Sequence, residues 1–361
     1  MSKKALLHDF TTSLLAWWGT GKRSMPWKET KDPYKIWISE IILQQTRVSQ
    51  GTDYYLRFID RFPDIATLAG ATEDEVLAMW KGLGYYTRAR NIHATAKIVM
   101  ESYQGIFPST YKDIIQLRGI GPYTAAAISS FAYDLVHPVV DGNVIRVISR
   151  YFGIEEPVDD RRIRKHIDEL AEELIHRERP ADYNQAIMDL GAMVCAPRSP
   201  DCQNCCMSDT CVAYNKKWID RIPLKAKKIT KRHRFFHYLV IENSAYILLK
   251  KRQQKDIWQG LYDFPCVEKE SETILSLEEI HSLLTEIGLV KNRVKRAEIS
   301  KTHRQTLTHQ YINGIFYSIP VNIDKLELKD GYFFAIKENL SNFAIPKLID
   351  WYLGDKSITL F

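Results

Sequence analysis

The chain has 361 residues, of which 45% are apolar and 26% charged, with 17 Gly, 14 Pro and a net charge of +6. At roughly 150 residues per domain this predicts two or three domains, and the composition excludes a disordered, collagen-like or low-complexity protein. No apolar run approaches the roughly 18–20 residues of a membrane helix, and Met1-Ser2-Lys3-Lys4-Ala5-Leu6-Leu7-His8-Asp9 lacks a signal-peptide core, so a cytoplasmic protein without membrane contact is expected.

Residues 1–215 read as successive helices: Leu6–Gly19, Trp37–Phe62, Glu73–Met79, Ala89–Glu101, Tyr123–Tyr133, Val144–Tyr151, Arg161–Arg177 and Asn184–Met193. Gly and Pro separate them, and alternation of period two is scarce. Five of the six cysteines fall between Cys195 and Cys211, a concentration that argues for metal rather than disulfides in a cytosolic chain. Residues 216–232 read as a basic linker. Across Lys216–Arg234 nine Lys or Arg stand against the single acid Asp220, which suggests a segment lying on a polyanion; a solvated hinge is the alternative. Residues 233–361 read as a small α+β domain. It opens with paired strands Arg234–Ile241 and Ala245–Lys250 around Glu242-Asn243-Ser244, followed by one helix, Leu277–Ile287, and aromatic strands such as Tyr311–Ile319.

Three local features carry chemistry. In Leu117-Arg118-Gly119-Ile120-Gly121-Pro122-Tyr123, Gly119 and Gly121 allow a tight helix-to-helix turn, and Pro122 suits a first helical position. Amides facing outward there bind phosphate without reading sequence, as a helix-hairpin-helix requires; a plain αα turn is the alternative. Cys195-x6-Cys202-x2-Cys205-x5-Cys211 offers four thiolates in one loop, suited to a cubane iron-sulfur cluster, with zinc the competing reading. Cys206 is expected to point away.

The third feature is a pair of acids. Glu40 sits in the apolar helix Trp37-Ile38-Ser39-Glu40-Ile41-Ile42-Leu43, where burial favours the protonated form. Asp141 precedes Gly142-Asn143-Val144 at a helix start, where free amides favour the carboxylate. Carboxyls shifted in opposite directions suit glycosidic cleavage, one protonating the leaving group and the other stabilising an oxocarbenium ion. Taken singly, Glu40 reads equally as a paired core acid and Asp141 as an N-cap.

Together, Trp37-x-Ser39-Glu40-Ile41-x-Leu43-Gln44-Gln45-Thr46, Gly82-Leu83-Gly84-Tyr85-Tyr86-x-Arg88-Ala89-Arg90, the Gly119 hairpin, Val140-Asp141-Gly142-Asn143-Val144-x-Arg146-Val147 and the four cysteines resemble the MutY-type adenine DNA glycosylases of the endonuclease III superfamily. The resemblance covers about residues 5–350. It implies a multidomain protein: an all-α helix-hairpin-helix glycosylase domain carrying a 4Fe-4S cluster on Cys195, Cys202, Cys205 and Cys211, plus an α+β Nudix-like C-terminal domain. By the same resemblance Glu40 protonates adenine N7, Asp141 stabilises the sugar C1′, and Tyr123 and Asn143 orient them. Gln45, Leu83 and Tyr85 would enter the duplex, with Gly119, Gly121, Lys28 and Arg88 as further DNA contacts. The implied partner is double-stranded DNA bearing A:8-oxoguanine or A:G mispairs, and the enzyme a nucleoid-associated monomer.

Bifunctional members of the superfamily carry Lys where Tyr123 stands, and a phenol cannot form a Schiff base, so the enzyme is expected to be monofunctional. Trp258-x-Gly260-Leu261-Tyr262-Asp263-Phe264-Pro265 resembles the start of a Nudix domain, yet the acidic magnesium box is absent after Cys266-Val267-Glu268-Lys269-Glu270. In place of the family's Phe-Ser-His lesion-reading core stand Leu307, Thr308 and His309, which keep the hydroxyl and the imidazole. Lys28 stands where the family usually has Arg, with a point charge in place of a planar fork; nearby Arg23 could supply one.

Overall fold

The computed structural model describes residues 3–21, 23–226, 230–289, 297–322, 328–329 and 331–358, so Lys227 and Lys228 of the basic linker lie outside the described residues. The chain divides into two compact units, Met1–Gly70 with Asn91–Lys228, and Ala71–Arg90 with Ile229–Phe361. Among the described residues, no helix is long and apolar enough to cross a membrane.

The first unit is helical. The expected helix Trp37–Phe62 is in fact two, Pro33–Leu43 and Val48–Arg61, broken where Gln45 takes a left-handed φ of 58°. No Gly or Pro marks the break. Gln44 donates through Nε2 to Thr124 Oγ1 (3.3 Å), so a tertiary bond helps hold the turn. Pro33–Leu43 starts on Asp32, whose carboxylate accepts from Tyr34 N (2.9 Å), and eight of its eleven residues are buried. A helix apolar on all sides belongs inside, and it packs against Pro122–Tyr133. A second core joins Phe10, Leu14 and Trp18 of Lys3–Gly19 to Val147, Ile148 and Tyr151 of Gly142–Phe152, to Ile167 and Leu170 of Arg161–Leu174, and to Ile187 and Leu190 of Pro180–Met193.

The Gly119 hairpin joins the one-turn helix Tyr111–Ile114 to Pro122–Tyr133. Gly119 has φ 78°, and a Cβ there would stand 2.6 Å from Asn91 Cβ, so only glycine fits. Arg118 Nε donates to Asn91 Oδ1 (3.1 Å) and Thr95 Oγ1 to Arg118 O (2.8 Å), bracing the turn on Thr87–Tyr103. A Cβ on Gly121, the N-cap, would meet nothing within 4 Å, so that side of the turn is open.

In the second unit, β1 (Arg232–Glu242), β2 (Tyr246–Lys251), β3 (Tyr262–Asp263), β4 (Cys266–Lys269), β5 (Glu298–Ile299), β6 (His303–Thr306), β7 (Gln310–Pro320) and β8 (Tyr332–Ile336) form one mixed sheet. β1 and β7 run parallel from Arg232↔Gln310 to Glu242↔Pro320, and the other pairs are antiparallel. The expected β1–β2 hairpin exists but pairs only near its turn, at Glu242↔Ile247. β4 flanks β1 from Phe235 to Tyr238, while β2 continues beside β8 and β3.

Ile280, Leu284 and Ile287 of the helix Leu277–Ile287 cover one sheet face at Leu239, Ile241, Ile315 and Tyr317. The helix Lys347–Ile358 covers the other, with Tyr352 stacked on Phe316 at 4.0 Å. A Cβ on Gly314 would stand 2.6 Å from Leu348 Cδ2, so this helix docks where the sheet has no side chain. Glu268, the first acid after Pro265, is ion-paired with Arg234 (2.6 Å), in keeping with the missing magnesium box.

Candidate active site

A pocket of about 230 Å³ opens among the helices of the first unit, and Glu40, Tyr123, Asp141, Asn143 and Lys28 all line it. Glu40 projects from the middle of Pro33–Leu43 and is 6% exposed. Tyr123, at the start of Pro122–Tyr133, donates from Oη to Glu40 Oε2 (2.7 Å). Burial pushes the Glu40 carboxyl up from 4.5 to about 7; the Tyr123 bond opposes this, the Asp141 charge adds to it and Lys28 opposes it. Burial and the two neighbouring acids drive the Tyr123 phenol far above its ordinary value, so it stays a donor.

Asp141 caps Gly142–Phe152. Its Oδ1 accepts from the backbone amides of Asn143 and Val144 (both 2.8 Å), and Oδ2 accepts from Asn143 Nδ2 (2.8 Å). The expectation that the two carboxyls shift in opposite directions is corrected: both rise, because both are buried. They differ in what opposes burial, since three hydrogen bonds and the Arg146 charge favour ionised Asp141.

Three residues to which the sequence reading gives no role support the pocket, and one of them, Asp189, lines it. Asp189 is 5% exposed and takes Lys28 Nζ on both oxygens (2.7 and 2.6 Å) and Trp18 Nε1 (3.3 Å). Lys28 is thereby held in the pocket wall, which also includes Arg23. Arg146 donates to Asn143 Oδ1 (2.8 Å), Gly191 O (2.6 Å) and Cys195 O (2.7 Å), tying the Asp141 cap to the cysteine loop. Gly191 is needed because a Cβ there would stand 2.7 Å from Asn143 Cβ. The available signal was a buried-side acid in Asn184–Met193: Asp189 lies between Ile187 and Leu190.

Cys195, Cys205 and Cys211 pack against the second helical core. Cys202 is within electrostatic reach of Cys195 and Cys205, and Cys211 of the same two. Arg150 donates to Cys195 Sγ (3.4 Å) and to the carbonyls of Ala196 and Ile222 (2.8 and 2.9 Å). Cys206, next to Cys205 in sequence, also packs against that core. Among the described residues, no three His, Cys, Asp or Glu meet the spacing of a single-ion site. Four thiolates within one loop form the all-sulfur donor set that an iron-sulfur cluster takes.

Gln45 is exposed at its left-handed turn. In the second unit Tyr85, half exposed, also has a left-handed φ of 49°, after Gly82 (92°) and Gly84 (73°). Non-glycine residues are held so only where the surroundings impose it, a feature common at working sites. Arg88 braces this loop, donating to Gly84 O (3.2 Å) with its guanidinium over Trp80 and Tyr85, and burial lowers it to about 10. Leu307, Thr308 and His309 form the turn between β6 and β7, closed by Leu307 N to Gln310 O (2.8 Å), rather than lying within a strand. Tyr85 Oη meets Thr308 Oγ1 at 2.5 Å, and Leu83, Tyr85, Leu307, Thr308 and His309 line one pocket of about 350 Å³.

Residues 38–173 match the HhH-GPD superfamily base excision DNA repair protein family, and residues 220–354 match the NUDIX domain family. An adenine DNA glycosylase of Buchnera aphidicola subsp. Schizaphis graminum (strain Sg) is 35% identical over 352 residues, covering 94% of this chain and 96% of that one. The chain belongs to the adenine DNA glycosylase family. Family membership makes it a DNA-binding glycosylase. A thermostable thymine-DNA glycosylase superimposes with TM-score 0.56 at 33% identity, covering 60% of this chain and 100% of that one. A non-covalent endonuclease III–DNA complex shares the fold of the helical part, with TM-score 0.52 at 19% identity over 60% of this chain and 99% of that one.

Proposed function

We propose that the enzyme removes adenine mispaired with 8-oxoguanine or guanine in double-stranded DNA, hydrolysing the N-glycosidic bond in the Glu40–Asp141 pocket. The observation that carries this reading is one cavity lined by a carboxyl that retains its proton to about pH 7 and a carboxylate held by three donors. The adenine must leave the stack first, since its glycosidic bond is inaccessible within the duplex. Glu40 gives its proton to N7, the C1′–N9 electron pair leaves with the base, and positive charge develops on the sugar. Asp141 stabilises that charge until water adds to C1′ and sheds its proton, leaving free adenine and an abasic site. Tyr123 orients Glu40, and Asn143 orients Asp141.

Gln45, Leu83 and Tyr85 fill the space the adenine vacates, and the Gly119–Gly121 hairpin presents amides to phosphate. Lys28, fixed on Asp189, acts from the pocket wall. Cys195, Cys202, Cys205 and Cys211 hold a 4Fe-4S cluster, which when bound would supply a rigid cross-link to the loop and a redox-active centre. Purified protein should therefore contain about four irons per chain and absorb broadly near about 400 nm; stoichiometric zinc without iron would reverse this assignment.

Tyr123 offers no amine at its position, and the Lys28 amine in the pocket wall is engaged by both oxygens of Asp189. Borohydride should trap no enzyme on adenine-containing duplex, and robust trapping would contradict monofunctional hydrolysis.

Leu307, Thr308 and His309 read the base opposite adenine. Thr308→Ala with His309→Ala should lower the preference for 8-oxoguanine over guanine roughly tenfold or more, each lost hydrogen bond being worth about 1–1.5 kcal/mol. Unchanged discrimination in competition assays would place lesion reading elsewhere. The similarity to a thymine-DNA glycosylase covers 60% of this chain, whereas that to an adenine DNA glycosylase covers 94%.

A further inference from the structure

The basic segment Lys216–Arg234 takes no part in the chemistry of the Glu40–Asp141 pocket, and its end is built into the sheet of the second unit. His233 on β1 stands opposite Tyr311 on β7, and Thr306 on β6 stands opposite Tyr311 from the other side. Residues two apart in a strand share a face, so Arg304 joins His233 and Tyr311 there. The Arg304 guanidinium lies over the Tyr311 ring at 4.1 Å from its centroid, Lys231 Nζ at 5.1 Å and the His233 ring at 4.9 Å. Arg304 and His233 are exposed, because the helix Leu277–Ile287 covers this face only farther along, at Leu239, Ile315 and Tyr317.

Alternation along β1 gives the contrast. Arg234, facing the other way, is neutralised by Glu268 and Asp256, whereas among the described residues no carboxylate pairs with Lys231, His233 or Arg304. A guanidinium held over an aromatic ring by its charge leaves its N–H donors available to a further partner, and Arg304 is exposed. Lys231 and Arg304, two uncompensated cations at one ring, repel each other unless an anion joins them. Duplex DNA supplies about one negative charge per 1.7 Å of axis. The turn Leu307–His309 lies at this edge of the sheet, with His309 O accepting from Arg232 N (3.1 Å).

We infer that Lys231, His233 and Arg304, gathered around Tyr311, form a phosphate-binding platform that grips the DNA backbone beside the base met by Leu307–His309. The inference rests on that turn's role as the reader of the opposing base. The platform sets register and affinity and carries no sequence information.

The test is fluorescence anisotropy of the full-length enzyme on a duplex with 8-oxoguanine opposite a non-cleavable 2′-fluoroadenosine, from 50 to 250 mM salt. Lys231→Gln with Arg304→Gln should weaken binding roughly tenfold and lower the slope of log Kd against log salt by about 1.8, at about 0.9 for each phosphate no longer neutralised. Lys165→Gln, which removes a charge from Arg161–Leu174 of the first unit, should leave the slope unchanged. Methylphosphonates flanking the 8-oxoguanine should weaken wild-type binding and abolish the difference between wild type and the double variant. An unchanged slope in the double variant, or a difference that survives the neutral linkages, would overturn the platform. Failure of the turn's reading role appears separately, as undiminished 8-oxoguanine preference in the Thr308 and His309 variants.

Discussion

Glu40→Gln is expected to lower single-turnover adenine release by roughly 10²- to 10⁴-fold, the range typical of a lost general acid, with duplex affinity nearly unchanged. The amide retains an oxygen for the Tyr123 hydroxyl and fills the same volume, so the pocket persists without its proton. In the wild type the acid form is lost as pH rises through about 7, so release should fall on that side, and the Gln variant should lack this limb. The same burial makes Glu40 costly to the fold. Its carboxyl binds a proton more tightly folded than unfolded, so stability declines as pH rises from about 4.5 to about 7 and is level above. Glu40→Gln should accordingly be the more stable protein at pH 8, by up to about 3 kcal/mol, with the advantage vanishing near pH 4.5. Parallel thermal unfolding at the two pH values tests this, and a variant equally stable or weaker at pH 8 would mean that Glu40 is not held neutral by burial.

Asp141→Asn is the second large effect. The Asn carbonyl can still accept from the amides of Asn143 and Val144, and Asn ranks with Asp as an N-cap, but its Nδ2 would face Asn143 Nδ2 donor to donor, so the fold should lose about 1–3 kcal/mol while keeping the helix start. The charge facing the developing oxocarbenium ion disappears, however, and the rate should fall by at least about 10²-fold. A variant that unfolds cooperatively near the wild-type temperature yet releases adenine at the wild-type rate would reduce Asp141 to a cap.

Local chemistry made much of this legible. Asp141-Gly142-Asn143 announces a helix start, Gly119-x-Gly121-Pro122 a turn, and Glu40 among Ile, Leu and Trp a buried acid. What stayed hidden depends on residues far apart in the chain. Nothing local to Lys28 announces its partner Asp189, which lies 161 positions away. The break at Gln44–Arg47 has no Gly or Pro and leans on Thr124. Parallel pairing of β1 with β7 joins segments that no turn connects, so neither the shortness of the β1–β2 pairing nor the cluster around Tyr311 is visible as a pattern. Residues Ala71–Arg90 fall within the span 1–215 read as one helical region, yet they pack with the C-terminal residues: Asp74 accepts from Lys251 Nζ (2.5 Å) and Tyr262 Oη (2.8 Å). The opposing shifts expected of Glu40 and Asp141 failed because a helix-start position says nothing of depth, and both are buried.

The most direct measurement incubates the enzyme and its Glu40→Gln variant with duplexes carrying A opposite 8-oxoguanine, A opposite G, T opposite G and A opposite T, then cleaves abasic sites with alkali. Strand breaks at adenine in the first two duplexes alone, made by the wild type and not by the variant, are the predicted outcome. Breaks at thymine, or equal breaks by the variant, would contradict adenine removal by the neutral acid of this pocket.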